Sequence, residues 1–182
     1  MRRACVILLF LALLAVCFSV FAEDNEAQSI CLFINGYMGN EGGLEEYLEQ
    51  ICSKTFPDLK SIEISQLVPD DNSTAIITVQ MFENAGGIYI LPRSIFFSLS
   101  YEGFLLPLED DEELMTSVGN EDIAKGWCNA GDEIHLYGIP LAILPGANQY
   151  FYVEDGFVCA FAGDADPEDV KALLRILCQD FK

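Results

Sequence analysis

The chain is poor in the groups on which most enzyme chemistry rests. Histidine occurs once, at His135, and tryptophan once, at Trp127. There is no Gly-x-Ser-x-Gly elbow and no Gly-rich phosphate loop. No two cysteines have the CxxC spacing of a zinc or redox site. A catalytic triad needs a nucleophile, a base and an orienter. His135 stands in an apolar strand context and reads as a structural residue. The many carboxylates leave a glycosidase-type acid pair, a hydrolase reading, as the enzymatic alternative. Cations are scarce as well, nine Lys and Arg against 29 Asp and Glu. So acidic a surface repels nucleic acid and anionic lipid. Beyond the N-terminal segment no apolar run approaches the roughly 20 residues of a membrane span, which excludes a multi-span protein. Internal repeats and low-complexity segments are absent. No cofactor and no metal is expected. The acidic run Glu109 to Glu113 suits a solvated helix start, and Asp164-x-Asp166 lacks the Gly and distal Glu of a calcium loop.

What is present begins with a secretory pattern. Arg2 and Arg3 precede an uncharged stretch from Ala4 to Val20, Val20-Phe21-Ala22 offers a cleavage site, and Glu23-Asp24 opens a polar segment. Residues 1–22 are therefore expected to be a signal peptide. Residues 23–182 are expected to form a single α/β domain of 182 − 22 = 160 residues. The protein is then secreted or extracytoplasmic, in the cell envelope, with no membrane insertion after cleavage. A lipid anchor at Cys17 is disfavoured, since Val16 precedes it where a small residue is usual and apolar residues follow it. Removing Arg2 and Arg3 leaves a net charge of 7 − 29 = −22. Five cysteines remain, Cys31, Cys52, Cys128, Cys159 and Cys178. An odd number argues against a complete disulfide framework. Their apolar neighbours suit buried thiols, and one disulfide stays open as an alternative.

Residues 29–35 form a continuous apolar run closed by Gly36, the habit of a strand buried on both faces. Leu44, Tyr47, Leu48, Ile51 and Cys52 recur at helical spacing, with glutamates on the other face. A second strand is expected over 61–68. Residues 74–82 suit a strand by their β-branched content and a crossover helix by their position between strands. A short buried strand over 88–91, a helix over 94–101 stopped by Gly103, and a helix to about Val118 follow. Later strands are expected near 133–137, 149–153 and 157–161, the last two joined as a hairpin by Glu154-Asp155-Gly156. Asp166 and Pro167 start a final helix whose buried stripe is Val170, Leu173, Leu174, Leu177, Cys178 and Phe181. Alternating strands and helices point to an α/β fold.

Several phrases carry a family resemblance. Gly103-Phe104-Leu105-Leu106-Pro107-Leu108-Glu109-Asp110 follows the strand Ile88-Tyr89-Ile90-Leu91-Pro92. His135-Leu136-Tyr137-Gly138-Ile139-Pro140-Leu141 comes later. With the opening strand, the stretch Phe56 to Glu63 and the final helix, these resemble the first lobe of bacterial extracellular solute-binding proteins of ABC transporters. The resemblance covers most of residues 30–141 and the terminal helix. Members of that family have two lobes, and the stretch after the Tyr-Gly-Ile-Pro phrase is too short here for a second. Where the family often has Asp before the third strand, this chain has Gly87.

The resemblance implies one lobe of a type 2 periplasmic binding protein. That is a three-layer sandwich with a mixed, mostly parallel sheet, helices on both faces, and a C-terminal hairpin and helix. The function expected is non-catalytic capture of an extracellular small molecule, sugar or peptide, with a membrane permease or other surface protein as partner. A protein-interaction or structural module without a small ligand is the alternative. In an open α/β sheet, ligands sit at the carboxyl ends of the strands. Asn35, Tyr37 and Asn40 follow the first strand, and Arg93 follows the third. Tyr137 opens the Tyr-Gly-Ile-Pro phrase, and Trp127 is a further aromatic candidate. Arg93 in a surface ion pair, and Tyr137 or Trp127 in the core, are the competing roles.

Overall fold

The computed structural model describes residues 29–83, 86–119, 123–131 and 133–182. The expected signal peptide, its expected cleavage site and Cys17 lie outside the described residues.

The chain opens with β1 (Ser29–Asn35) and a two-residue strand, β2 (Tyr37–Met38). Along β1, Ile30, Leu32 and Ile34 face one core and Phe33 the other, which is why the run carries no polar alternation. Helix α1 (Glu41–Thr55) buries Leu44, Leu48 and Ile51, and ends at Phe56, just before Pro57. Next come β3 (Ser61–Leu67) and α2 (Ser73–Glu83). Residues 74–82 are thus helical despite their β-branched content. β3 and the following strand lie in one sheet and point the same way, and a parallel connection needs a crossover.

That following strand is β4 (Gly87–Pro92), which leads directly into α3 (Arg93–Tyr101). Gly87 lies opposite Cys31, where an added Cβ would stand 2.0 Å from the Cys31 carbonyl oxygen. Gly103, with φ +76, turns the chain out of α3. Helix α4 (Glu112–Val118) is capped by Asp111, whose side chain accepts from the Leu114 amide. A hairpin of β5 (Trp127–Ala130) and β6 (Glu133–Leu136) stands apart from the main sheet. β7 (Gly138–Pro140), β8 (Phe151–Tyr152), β9 (Gly156–Phe161) and α5 (Pro167–Asp180) complete the chain.

The main sheet has the order β3-β1-β4-β9-β7. β3, β1 and β4 are parallel, and β9 runs antiparallel to both β4 and β7. Four of the five strands therefore share one direction. On one face α1, α4 and α5 cover Ile30, Leu32, Ile34, Ile88, Ile90 and Val158. On the other, α2 and α3 cover Phe33, Tyr89, Leu91, Phe157 and Cys159. The result is a mixed α/β sandwich with helices on both faces. Phe96 of α3 stacks on Phe157 of β9, with ring centroids 4.2 Å apart.

One expected pairing is not made. Residues 149–153 do not form a hairpin with 157–161. The short β8 pairs instead with β2, Tyr152 opposite Tyr37, while β9 is held between β4 and β7. β9 gains two fully buried ladders in this way, and the 154–155 turn is left to splay the two strands apart. All five described cysteines are free thiols, and Cys128, Cys159 and Cys178 are buried.

Helix α5 carries the apolar stripe read from the sequence, with Val170, Leu173, Leu174, Leu177 and Cys178 buried. Its cap is Asp166, which accepts from the Glu168 amide at 2.9 Å. Arg175 ties it to α4, with Nη1 donating to Glu113 at 2.8 Å and Nε lying 3.4 Å from Asp111. Leu174 is wholly inaccessible to solvent. Leu174→Ala is predicted to cost about 2–5 kcal/mol. A urea melt checks this, and an unchanged midpoint would show that α5 is peripheral to the fold.

Candidate functional site

A cleft of about 600 Å³ opens at the carboxyl ends of β1 and β4. The chain leaves β1 for β3 on one side, and β4 lies on the other. The connecting segments therefore diverge and leave a crevice between them. Asn35, Gly36 and Tyr37 come from the end of β1, and Pro92, Arg93, Ser94 and Phe97 from the junction of β4 and α3. Pro69 and the segment Tyr152–Asp155 complete the lining.

Asn35 is completely buried. Its Nδ2 donates to the Leu67 carbonyl at 3.0 Å, which binds the end of β1 to that of β3. Gln66 Nε2 donates to the Gly36 carbonyl at 2.9 Å across the same junction. Asn35 Oδ1 has no hydrogen-bond partner among the described residues. A buried acceptor left unpaired costs about 1–3 kcal/mol. Gly36 allows the segment after β8 to close on this point, for an added Cβ would meet Val153 Cγ2 at 2.5 Å and the Tyr152 carbonyl oxygen at 2.6 Å. At the rim, Tyr37 and Tyr152 face one another across the β2–β8 ladder, 56% and 57% exposed.

Arg93 is exposed, with its guanidinium 5.5 Å from the centre of the Phe97 ring. The ion pairs among the described residues involve His135 and Arg175, so none engages Arg93. Pro92 is the N-cap of α3 and supplies no side-chain acceptor to its first turn. A second cavity, of about 230 Å³, shares Arg93, Tyr152, Val153 and Asp155 with the cleft and extends to Lys125 and Pro140.

Of the six residues read as ligand candidates, Asn35, Tyr37 and Arg93 meet in this cleft. The other three do not line it. Asn40 caps α1, its Oδ1 accepting from the Gly43 amide at 3.1 Å. Tyr137 is 4% exposed and packs in the core with Leu91, Phe96 and Phe157. It precedes β7, at the amino end, whereas Pro140 at the carboxyl end of β7 reaches the second cavity. Trp127 lies on the β5–β6 hairpin, opposite Leu136. Phe97 and Tyr152–Asp155 line the cleft without a sequence pattern that marks them as site residues. The turn at Glu154-Asp155-Gly156 was their one local signal, and nothing local ties it to the end of β1.

His135 belongs to a separate cluster. Its Nδ1 is hydrogen bonded to Glu109, its Nε2 lies 3.2 Å from Glu133, and the Leu136 amide donates to Glu109 at 3.0 Å. These contacts, that with Glu109 first, hold the imidazolium pKa above its ordinary value. Burial pushes the Glu109 pKa up, but the hydrogen bonds from His135 and the backbone outweigh it and the net direction is down. Cys128 stands opposite His135 in the hairpin. Its thiol donates to the Gly126 carbonyl at 3.7 Å, and burial raises its pKa, the reverse of what a nucleophile needs. The cluster therefore pins the 103–110 segment to the hairpin, alongside the 2.8 Å bond from the Leu108 amide to the Leu136 carbonyl.

No protein-family model matches the chain, and no curated protein matches it. Among solved structures it is similar to one described as "Extracellular solute-binding protein family 1 from Alicyclobacillus acidocaldarius subsp. acidocaldarius DSM 446". The identity is 19%, over 62% of this chain and 28% of that one, with a TM-score of 0.43. The matched region is thus well under two thirds of that protein's length.

Gly36→Ala drives a Cβ into backbone as well as side chain, and is predicted to cost about 1–3 kcal/mol. The amide resonances of 152–155 should shift with it, and unchanged resonances there would contradict the packing. For His135, the raised pKa means its stabilisation is complete below the ordinary value of 6.5 and is lost as pH rises through the raised one. For Glu109, the lowered pKa means its stabilisation is present above 4.5 and is lost as pH falls through the lowered value. The pair should stabilise most between those two limits. His135→Gln should flatten the decline of the urea midpoint from about pH 6 to pH 9; parallel profiles would show that the cluster is energetically silent.

Proposed function

We propose that residues 23–182 act outside the cytoplasm as a non-catalytic domain that captures a small solute in the cleft at the ends of β1 and β4. The observation that carries this reading is the concavity itself, where Asn35, Tyr37 and Arg93 meet at the carboxyl ends of the parallel strands. At about 600 Å³ the cleft falls within the roughly 300–1,000 Å³ of small-molecule sites. Tyr37, Phe97 and Tyr152 give it aromatic surface, and Arg93, Glu154 and Asp155 give it polar anchors. The sequence resemblance to solute-binding proteins agrees with this, and a permease or other surface protein as onward partner belongs to the same proposal. The non-catalytic part is supported by the placement of His135, held between two glutamates and opposite a thiol of raised pKa.

A second reading, a protein-interaction module, is favoured by one observation. Val79 and Phe82 on α2 are 53% and 72% exposed, and Tyr101 is 73% exposed. Exposed apolar groups of this kind mark contact surfaces when they are contiguous.

Titration of ¹⁵N-labelled protein with monosaccharides, disaccharides, amino acids and dipeptides separates the two. Perturbed amides at 35–37, 92–94 and 152–155 are expected for solute capture. A set without effect there, together with concentration-dependent broadening on α2, would transfer the function to the interaction surface. Mass spectrometry of the secreted form is expected to give an N-terminus at Glu23 and no lipid; a diacylglyceryl group on Cys17 would contradict that maturation.

A further inference from the structure

The two edges of the main sheet are finished differently. The far edge, β7, is three residues long and contains Pro140, which has no N–H to offer a further strand. Gly126 lies against it, so close that an added Cβ would stand 1.8 Å from the Gly138 carbonyl oxygen. The near edge, β3, is seven residues long, Ser-Ile-Glu-Ile-Ser-Gln-Leu, with neither proline nor lysine to blunt it. Among the described residues β1 is its one neighbour in the sheet. The Leu67 carbonyl turns inward and accepts from the Gly36 amide at 3.0 Å. Successive residues of a strand turn their N–H and C=O groups to opposite edges. The odd-numbered residues of β3 therefore face β1, and Ile62, Ile64 and Gln66 turn their backbone groups outward. Among the described residues nothing hydrogen bonds to those outward groups.

Acidic side chains flank that edge on both faces of the sheet. On one face Ile62 and Ile64 pack partly buried under α1, and on the other Glu63 is exposed beside Ser65. Helix α1 packs on β3, with its Tyr47 turned toward α5, where the hydroxyl donates to Asp180 at 2.8 Å. Glu45 and Glu49 stand two residues to either side of Tyr47, about half a turn round the helix. Both are exposed, and they occupy the flank of α1 toward the β3 edge. None of these three glutamates has an ion-pair partner among the described residues. β3 itself contains no cation, and Lys60 stands one residue before it.

We propose that the outer edge of β3 takes an extended segment of a partner polypeptide, apolar and cationic at alternate residues, as a sixth strand of the main sheet. The backbone groups of Ile62, Ile64 and Gln66 hold the segment by main-chain hydrogen bonds. Its side chains alternate between the two faces. Those on the α1 face are apolar and complete the cover of Ile62 and Ile64. Those on the other face are lysine or arginine and meet Glu63, with the Ser65 hydroxyl beside it. Glu45 and Glu49 add to the field that draws a cation to this edge. Other occupants answer less of it. A second copy of the chain, paired edge to edge about a two-fold axis, would bring the Glu45 and Glu49 flanks of two acidic molecules together. An uncharged apolar strand covers the isoleucines and leaves three carboxylates without a counter-charge. The site is separate from the cleft and does not depend on solute capture.

Amide hydrogen exchange of ¹⁵N-labelled protein tests this, with a capped peptide of alternating valine and lysine, matched to β3 in length, as the probe. In the free protein the amides of Ile62, Ile64 and Gln66 should exchange quickly and those of Glu63, Ser65 and Leu67 slowly. The peptide should slow the first three and leave the amides of 92–94 and 152–155 at the cleft unmoved. The same peptide N-methylated at alternate residues should bind at least about tenfold more weakly. A valine–glutamate peptide should not bind. Glu63→Gln, at an exposed position, should weaken the valine–lysine peptide by about two- to fivefold without shifting the urea midpoint, and binding should weaken as salt rises. Three results would overturn the proposal. One is unchanged exchange at 62, 64 and 66 in the presence of the peptide. Another is equal binding of the N-methylated or the acidic peptide. The third is slow exchange at those residues that sets in with protein concentration alone, as a dimer forms in sedimentation, which would give the edge to a second copy.

Discussion

Burial of β1 and β4 on both faces is the constraint on which the rest depends. Neither strand has a polar side to turn to water, so each must be covered above and below and paired on both edges. Parallel pairing of the two puts the chain's returns into helices, and those helices supply the covering layers. It also brings the ends of both strands to the same border of the sheet. The cleft lies along that border, between segments that must leave in different directions.

Asn35 marks where the core stops. It is as buried as Ile34 before it, yet it is polar, and it spends its amide on the Leu67 carbonyl to hold the sheet together. The oxygen is enclosed without a donor among the described residues. One side chain thus serves stability with one end and leaves an unmet hydrogen-bonding demand with the other. The same border gathers Arg93, Lys125, Glu154 and Asp155 around the adjoining cavities. In so acidic a chain, cations at the strand ends give this region an electrostatic character that the average surface lacks.

The cluster about His135 does different work in the fold. It joins the 103–110 segment to a hairpin outside the main sheet, where few backbone ladders are available to hold either. The Leu106 and Leu108 amides extend the attachment by donating to the Ala160 and Leu136 carbonyls. The stretch whose sequence carries the family resemblance is therefore a strap across the edge of the sheet.

Signals that act within a few residues were legible in the sequence. The unbroken apolar run of β1, the 3.6-residue stripe of α5, its Asp166 cap and the stop at Gly103 each follow from local sterics and burial, and each stands where the residues place it. Asn35, Tyr37 and Arg93 were legible as site candidates because each follows a strand that must end at the same border. Pairing partners were not legible. Residues 149–153 carry no mark that they answer to β2 rather than β9, because register and partner are set by which ladder buries more surface. Asn40 went to a helix cap and Tyr137 to the core for a like reason. A polar or aromatic residue serves the nearest unmet demand, and only the packed chain decides which demand is near. The sequence by itself determined β1, α5 with its Asp166 cap, the stop at Gly103 and the border at which a cleft would form. The tertiary structure alone decided that residues 152–155 close it, since that contact joins segments over a hundred residues apart and has no local cause.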